Sequence, residues 1–179
     1  MRVILISISF ILIAHATDIS SLIKAYKNKK YAYVCNKGYK LFDKLQKDQN
    51  LTMMYAFACL RIDYINRLAV PILVLSKTPQ ARYNRSYFSL ILTQKNILTS
   101  ALFDGTTFPP IHLPQTPYIL SKVFNLYFQK KYKKTDNEYV MQDRENNTTY
   151  KMSVGKDKYG KVLIIKEIRA NKTITHQYR

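Results

Sequence analysis

Apolar residues recur every three to four positions from Asp18 to about Tyr132, and every second position after Thr135. The pattern therefore predicts helices followed by strands. Asp18 caps a short first helix carrying Ile19, Leu22, Ile23 and Tyr26. A second helix opens at Tyr31 and runs to Lys47, with Val34, Cys35, Gly38, Leu41, Phe42 and Leu45 on one stripe. After the break at Asp48-Gln49-Asn50, a third is expected over Thr52–Ala69, with Tyr55, Ala56, Cys59, Ile62, Tyr64 and Ile65 mostly inward. An Asp63–Arg67 pair at i,i+4 would lie on its surface. At Pro71 it kinks or stops, because proline has no N–H and clashes with the preceding turn. Ile72–Lys77 resumes as a short apolar helix. Thr78-Pro79 supplies cap and first position for the longest helix, with a stripe of Tyr83, Tyr87, Leu90, Ile91, Leu98, Ala101 and Leu102. Asp104-Gly105 terminates it, glycine suiting the left-handed residue past a helix end.

Residues 106–116 change texture, with Pro109, Pro110 and Pro114 imposing an extended linker that Phe108, Ile111 and Leu113 hold against the helices. Thr116-Pro117 opens one more helix, bearing Ile119, Leu120, Val123, Phe124 and Tyr127. It finishes in Lys130-Lys131-Tyr132-Lys133-Lys134, whose cations favour a negative helix end. Glu138–Asp143, Thr148–Val154, Lys161–Ile168 and Lys172–Tyr178 then read as four strands. Their short connections, at Asn146-Asn147, Gly155 with Gly160, and Ala170-Asn171, imply an antiparallel meander. Tyr139, Met141, Tyr150, Met152 and Val154 alternate onto one apolar face, for which the 117–132 helix is the nearest cover. The expected fold is α+β: helical hairpins over 17–105, a linker at 106–116, and a helix plus four-stranded antiparallel meander over 117–179.

The start of the chain has a separate logic. Arg2 precedes the twelve-residue apolar run Val3–Ala14, and Ala14-His15-Ala16 gives a small-x-small cleavage pattern. A membrane-spanning helix needs about 20 apolar residues, so residues 1–16 read as an export signal removed after Ala16, with the periplasm as destination.

Composition sharpens this. Lys and Arg number 29 against 11 acids, a formal charge of +18, which draws the chain to anionic surfaces. Lys37, Lys40, Lys44 and Lys47 follow one another at spacings of three, four and three along one flank of the second helix. Lys40 and Lys44 repel at i,i+4. With Lys130, Lys131, Lys133 and Lys134 they are the candidate anion-binding residues; a solvated helix face and compensation of a helix dipole explain the same lysines without a ligand. Export and the lack of an Arg-rich reader motif argue against nucleic acid. The two cysteines, Cys35 and Cys59, stand on apolar helix faces. A bridge between them would be worth roughly 3 kcal/mol in the chain-entropy model, and buried free thiols are the competing state. Two cysteines without a nearby histidine fall short of a zinc set.

The opening helices resemble tetratricopeptide-type hairpins, Tyr31, Val34 and Leu41 standing at matching positions. Ala25 and Gly38 depart from that pattern, and no 34-residue period recurs. The run from Tyr55 through Pro71 resembles uncharacterised exported proteins of Campylobacter-type bacteria, a likeness that brings no activity with it. Bacterial N-glycosylation in that group uses an acid two residues before the sequon asparagine. Asp48-Gln49-Asn50-Leu51-Thr52 and Glu145-Asn146-Asn147-Thr148-Thr149 match, making Asn50 and Asn147 candidate acceptors in expected loops. Sequons at Asn84, Asn146 and Asn171 lack the acid.

Catalysis finds little purchase. Past the leader only His112, in the Pro-rich segment, and His176, in the last strand, remain, and neither lies in a nucleophile motif. There is no Gly-rich phosphate loop, no cofactor fingerprint and no clustered carboxylate pair, so no catalytic, cofactor or metal residue is nominated. The leading expectation is a non-enzymatic exported protein that contacts an envelope protein through its helical hairpins. The alternative is an electrostatic binder of lipid headgroups, lipopolysaccharide or acidic glycan, and a hydrolase with a noncontiguous site is a remote third.

Overall fold

The computed structural model describes residues 18–170 and 172–179; the expected leader, its cleavage point and Asn171 lie outside them. The fold is α+β, with helices preceding an antiparallel sheet. The described residues form two compact units, one ending at Ile62 and the other beginning at Asp63.

In the first unit, residues 18–27 form α1, followed by α2 (Tyr31–Lys40), α3 (Phe42–Leu45) and α4 (Gln49–Leu60). The expected single helix from Tyr31 to Lys47 is broken at Leu41, whose φ of −108° lies outside the helical range. Asp48 does not simply interrupt: its carboxylate accepts from Asn50 N at 2.7 Å and Leu51 N at 3.2 Å, so it is the N-cap of α4. Leu22, Val34, Leu45, Tyr55 and Ala58 close around Cys35 and Cys59, and Ile19, Tyr26, Phe42 and Ile62 pack against that core. Gly38 is buried because a Cβ there would stand 2.6 Å from Tyr55 Cδ2. Glycine is a poor interior helix residue, and here its missing side chain is the space that the Tyr55 ring occupies.

The second unit contains a 3-10 turn (Ile65–Leu68), α5 (Ala69–Val74), α6 (Pro79–Phe103), α7 (Ile119–Phe128) and five strands. The helix expected over Thr52–Ala69 stops at Leu60. Asp63 has a φ of +63°, a left-handed value that L residues adopt at a cost, and the chain restarts in the 3-10 turn. Pro71 breaks nothing: it is the third residue of α5, inside the first turn, where no intrahelical N–H is required. Thr78 caps α6 by accepting from Ala81 N at 3.1 Å, and Gly105 follows its end at φ +68°. The buried stripe of α6 keeps Ile91 and Leu98 of the expected one but otherwise runs through different positions. Ala81, Asn84, Phe88, Ile91, Gln94, Lys95 and Leu98 point inward, while Tyr83 is exposed. Buried hydrogen bonds explain why polar groups sit there: Gln94 Nε2 donates to Pro114 O and Ser121 Oγ, and Lys95 Nζ donates to Asn66 Oδ1 at 3.1 Å. Residues 106–116 pack within this unit, with Phe108 edge-on to Phe128 and Thr116 N donating to Ser121 Oγ.

The sheet is a meander in the order β1 (Lys133–Lys134), β2 (Glu138–Asp143), β3 (Thr148–Asp157), β4 (Gly160–Arg169) and β5 (Lys172–Tyr178). It therefore has five strands, not four. The extra one comes from the lysine cluster expected to end a helix: α7 stops at Phe128, Lys130 turns at φ +56°, and Lys133 pairs with Val140. β3 and β4 also run past Gly155 to a tighter turn at Lys158-Tyr159. Register places Tyr139 beside Met152 and Met141 beside Tyr150, on the face that continues through Ile165 and His176. α7 packs against β2.

Candidate binding groove and the buried histidine cluster

Cys35 and Cys59 are joined by a disulfide, with their Cα atoms 4.9 Å apart. The two helix faces bearing them pack as α2 against α4, which makes the bridge geometrically available.

The lysines of the first unit are divided among several elements rather than one helix. Lys37 pairs with Asp18 at 3.3 Å, Lys40 ends α2, Lys44 belongs to α3, and Lys47 lies in the turn before Asp48. The break at Leu41 disperses them. Of the two sequon asparagines, Asn147 lies in a loop as expected and Asn50 does not. Asn50 is the second residue of α4, and the hydroxyl of Thr52 is buried, donating to Leu45 O and Asp48 O. Asp48 and Thr52 thus have a capping role that accounts for their spacing. Asn147 is exposed in the β2–β3 hairpin turn at φ +46°.

The second lysine cluster fares differently. Lys131 and Lys133 line a groove of 680 Å³ beside the outer edge of β2, together with Lys122 of α7 and Arg144 of the hairpin turn. Leu126, Tyr132 and Val140 give it apolar walls. At one end Lys122 is tied to Asp143 at 3.0 Å and Glu145 at 3.9 Å. Burial works to raise the Asp143 pKa, but hydrogen bonds from Asn146 and Lys122 outweigh it and hold the carboxyl below its ordinary value. Among the described residues Lys131, Lys133 and Arg144 make no ion pair. Lys134 points elsewhere, over the Tyr139 ring at 5.5 Å, and Lys130 is exposed at the turn.

Three tyrosines fix this wall. Tyr132 stacks on Tyr127 at 5.4 Å, and both meet Tyr139 edge-on. Burial, with Tyr139 and Tyr132 adding to it, pushes the Tyr127 pKa up to about 12.

The backbone of β2 contributes as well. Thr135 N donates to Glu138 O, so Glu138, Val140 and Gln142 are the β2 residues whose backbone groups face β1. Continued pairing would set Lys131 opposite Gln142. Lys131 N instead donates to Leu126 O at 2.9 Å, closing the end of α7. The β1 strand consequently stops short, and the edge of β2 at Gln142 opens onto the cationic groove.

A second cluster lies at the start of this unit. Asp63 accepts from Tyr118 Oη at 2.5 Å and meets His176 Nδ1 at 2.9 Å. His176 Nε2 is closed off from solvent without a hydrogen-bond partner, and Glu167 Oε2, itself in a carboxylate held by Arg169, stands 4.0 Å away. Burial raises the Tyr118 pKa, with Tyr178 and Asp63 reinforcing it, so the phenol stays a donor. Asp63 was expected to face Arg67 on a helix; the left-handed turn carries its carboxylate to β5 instead. His112 is exposed in the Pro-rich segment. No group of three His, Cys, Asp or Glu among the described residues could hold a metal, and no helix among them is long and apolar enough to cross a membrane.

Lys122 and Arg144 carry no local signal of the groove: one lies inside α7 and the other in the β2–β3 turn, and the fold brings both beside Lys131 and Lys133. The His176–Asp63 contact spans 113 residues, and no local spacing announces it. The chain matches no family model, and no curated protein or solved structure shows a significant match to it.

Proposed function

We propose that this chain is an exported, non-enzymatic protein of the cell envelope that works by holding another protein. The groove beside β2 carries the reading: a strand edge left open by the early end of β1, bordered by three cations without ion pairs. Export rests on Arg2, the Val3–Ala14 run and Ala14-His15-Ala16, with removal after Ala16 and a periplasmic destination. The Cys35–Cys59 bridge suits such an oxidising compartment, as does the resemblance to Campylobacter-type exported proteins. The α2–α4 hairpin, in the manner of a tetratricopeptide-type pair, supplies a second contact surface. Glycan attachment, where the host performs it, suits exposed Asn147 better than Asn50, whose sequon is folded into a helix cap.

A second reading uses the same cations for lipid headgroups, lipopolysaccharide or acidic glycan, and is favoured by the missing counter-charges of Lys131, Lys133 and Arg144. A hydrolase is disfavoured. A histidine base has to reach a nucleophile or water through its free nitrogen, whereas His176 Nε2 is closed off from solvent.

Crosslinking and affinity purification of the tagged chain from its native host, with intact-mass analysis, tests the proposal. A stoichiometric protein partner supports it. Recovery of lipid or glycan alone, released by salt, transfers the case to the second reading.

A further inference from the structure

We infer that the partner contributes an extended acidic segment that adds a short strand to the outer edge of β2 at Gln142, with its carboxylates on Lys131, Lys133 and Arg144. The inference rests on the protein-holding reading above and narrows it to one surface and one chemistry. Two independent observations converge. The first is backbone: the β2 residues facing outward are Glu138, Val140 and Gln142, and Lys131 has turned its N–H to Leu126 O, leaving the Gln142 edge for another chain. A strand edge offers an N–H and a C=O at peptide spacing, which another peptide matches. The repeat of a sugar chain or a headgroup does not. The second is charge: Lys122 is neutralised by Asp143 and Glu145, while the three other cations of the groove are not. An incoming strand with acids at alternate positions would set them all toward one side, where the unpaired cations stand.

The test uses the full chain with its disulfide formed and a fluorescein-labelled peptide alternating Glu and Val, read by fluorescence anisotropy. Lys131→Ala, Lys133→Ala and Arg144→Ala combined should weaken binding about tenfold or more, since each removes an attractive charge from an exposed position. Circular dichroism verifies that the triple variant is folded. The discriminating probe is the same peptide N-methylated at alternate residues, in both phases. One phase blocks the backbone hydrogen bonds to Gln142 and should lose about tenfold, while the other leaves binding unchanged. Equal binding by both methylated peptides and the parent would overturn strand addition. So would phosphatidylglycerol vesicles or polygalacturonate binding through the same three residues while the peptide does not bind. A native partner whose crosslinks map to α5 or to the α2–α4 hairpin would also sink this inference while leaving the protein-holding function intact; absence of any protein partner would sink both.

Discussion

The two units share a cationic surplus but differ in how many polar groups they bury, Gln49 and Thr52 in the first and a longer set in the second. The first has nine Lys or Arg against three acids in residues 18–62, yet its core is made of Leu22, Val34, Leu45, Tyr55 and Ala58 around a disulfide. Its lysines scatter over separate short helices. The second buries Asn84, Gln94, Lys95, Ser121, Asp143 and Thr148 as well as its apolar core, and gathers several cations along one strand edge. Burying polar groups costs stability unless they find partners; Gln94 Nε2, Lys95 and Asp143 do, whereas Gln94 Oε1 does not. On the proposed function, the second unit carries the main binding groove and the first is chiefly its stapled support, a contrast that can be tested from both sides.

Removing the covalent staple should have the largest effect. Cys35→Ala with Cys59→Ala, or reduction of the native chain, should cost the first unit roughly 3 kcal/mol. A unit this small has a limited core, so its amide protection should collapse in hydrogen exchange while protection of β3 and β4 persists. Simultaneous loss in both units would break the comparison. Gly38→Ala comes next. Alanine is the better helix former, but its Cβ would fall 2.6 Å from the Tyr55 ring. Overpacking should win, lowering stability by about 2 kcal/mol, and a raised melting temperature would show that the ring can move aside.

How far the sequence reached follows the same division. Helices then strands, Thr78 capping α6, and the limits of β2 and β5 were all legible, because each depends on residues close together in the chain. The alternation of Tyr139, Met141, Tyr150 and Met152 also foretold the covered face. The misread parts turn on tertiary partners. Asp63 looks like a helix-surface acid until Tyr118 and His176 are placed beside it. The α6 stripe looked like Tyr83 and Tyr87 because periodicity cannot anticipate that Gln94 and Lys95 find acceptors in Pro114, Ser121 and Asn66. Lys130–Lys134 read as a helix end because nothing local reports that Lys133 will pair with Val140. The groove was half visible, as a lysine cluster without its strand edge.

In the second unit, acid should act through Asp143. Its folded-state pKa is depressed, so the Lys122–Asp143 pair adds stability above the ordinary carboxyl value of about 3.9 and loses it as pH falls through the lower folded value. Asp143→Asn should cost about 1.5 kcal/mol at neutral pH and flatten that part of the acid unfolding curve. An unchanged curve would mean that another carboxylate governs it. Tyr118→Phe removes the phenol donor from Asp63 but leaves His176 in place. A loss of about 1 kcal/mol is expected, with the His176 ring resonances in NMR reporting whether the cluster stays assembled.

The smallest effect tests whether a buried polar group in the second unit must earn its place. Lys95 is buried on α6 with Asn66 Oδ1 as its partner, and burial lowers its pKa. Lys95→Met keeps the length and removes the desolvation penalty but gives up one hydrogen bond. Asn66 is exposed, so water can replace the lost donor. The two changes should nearly cancel, within about 0.5 kcal/mol at neutral pH. The sign appears on the alkaline side. The unfolded chain holds the Lys95 proton more tightly than the folded one, so this residue makes stability rise with pH from the lowered value up to the ordinary lysine range near 10.4. Subtracting the variant's stability curve from that of the parent chain should isolate that rise. A flat difference would place the ammonium in contact with solvent, and a fall would mean that the fold holds Lys95 charged by a partner stronger than Asn66.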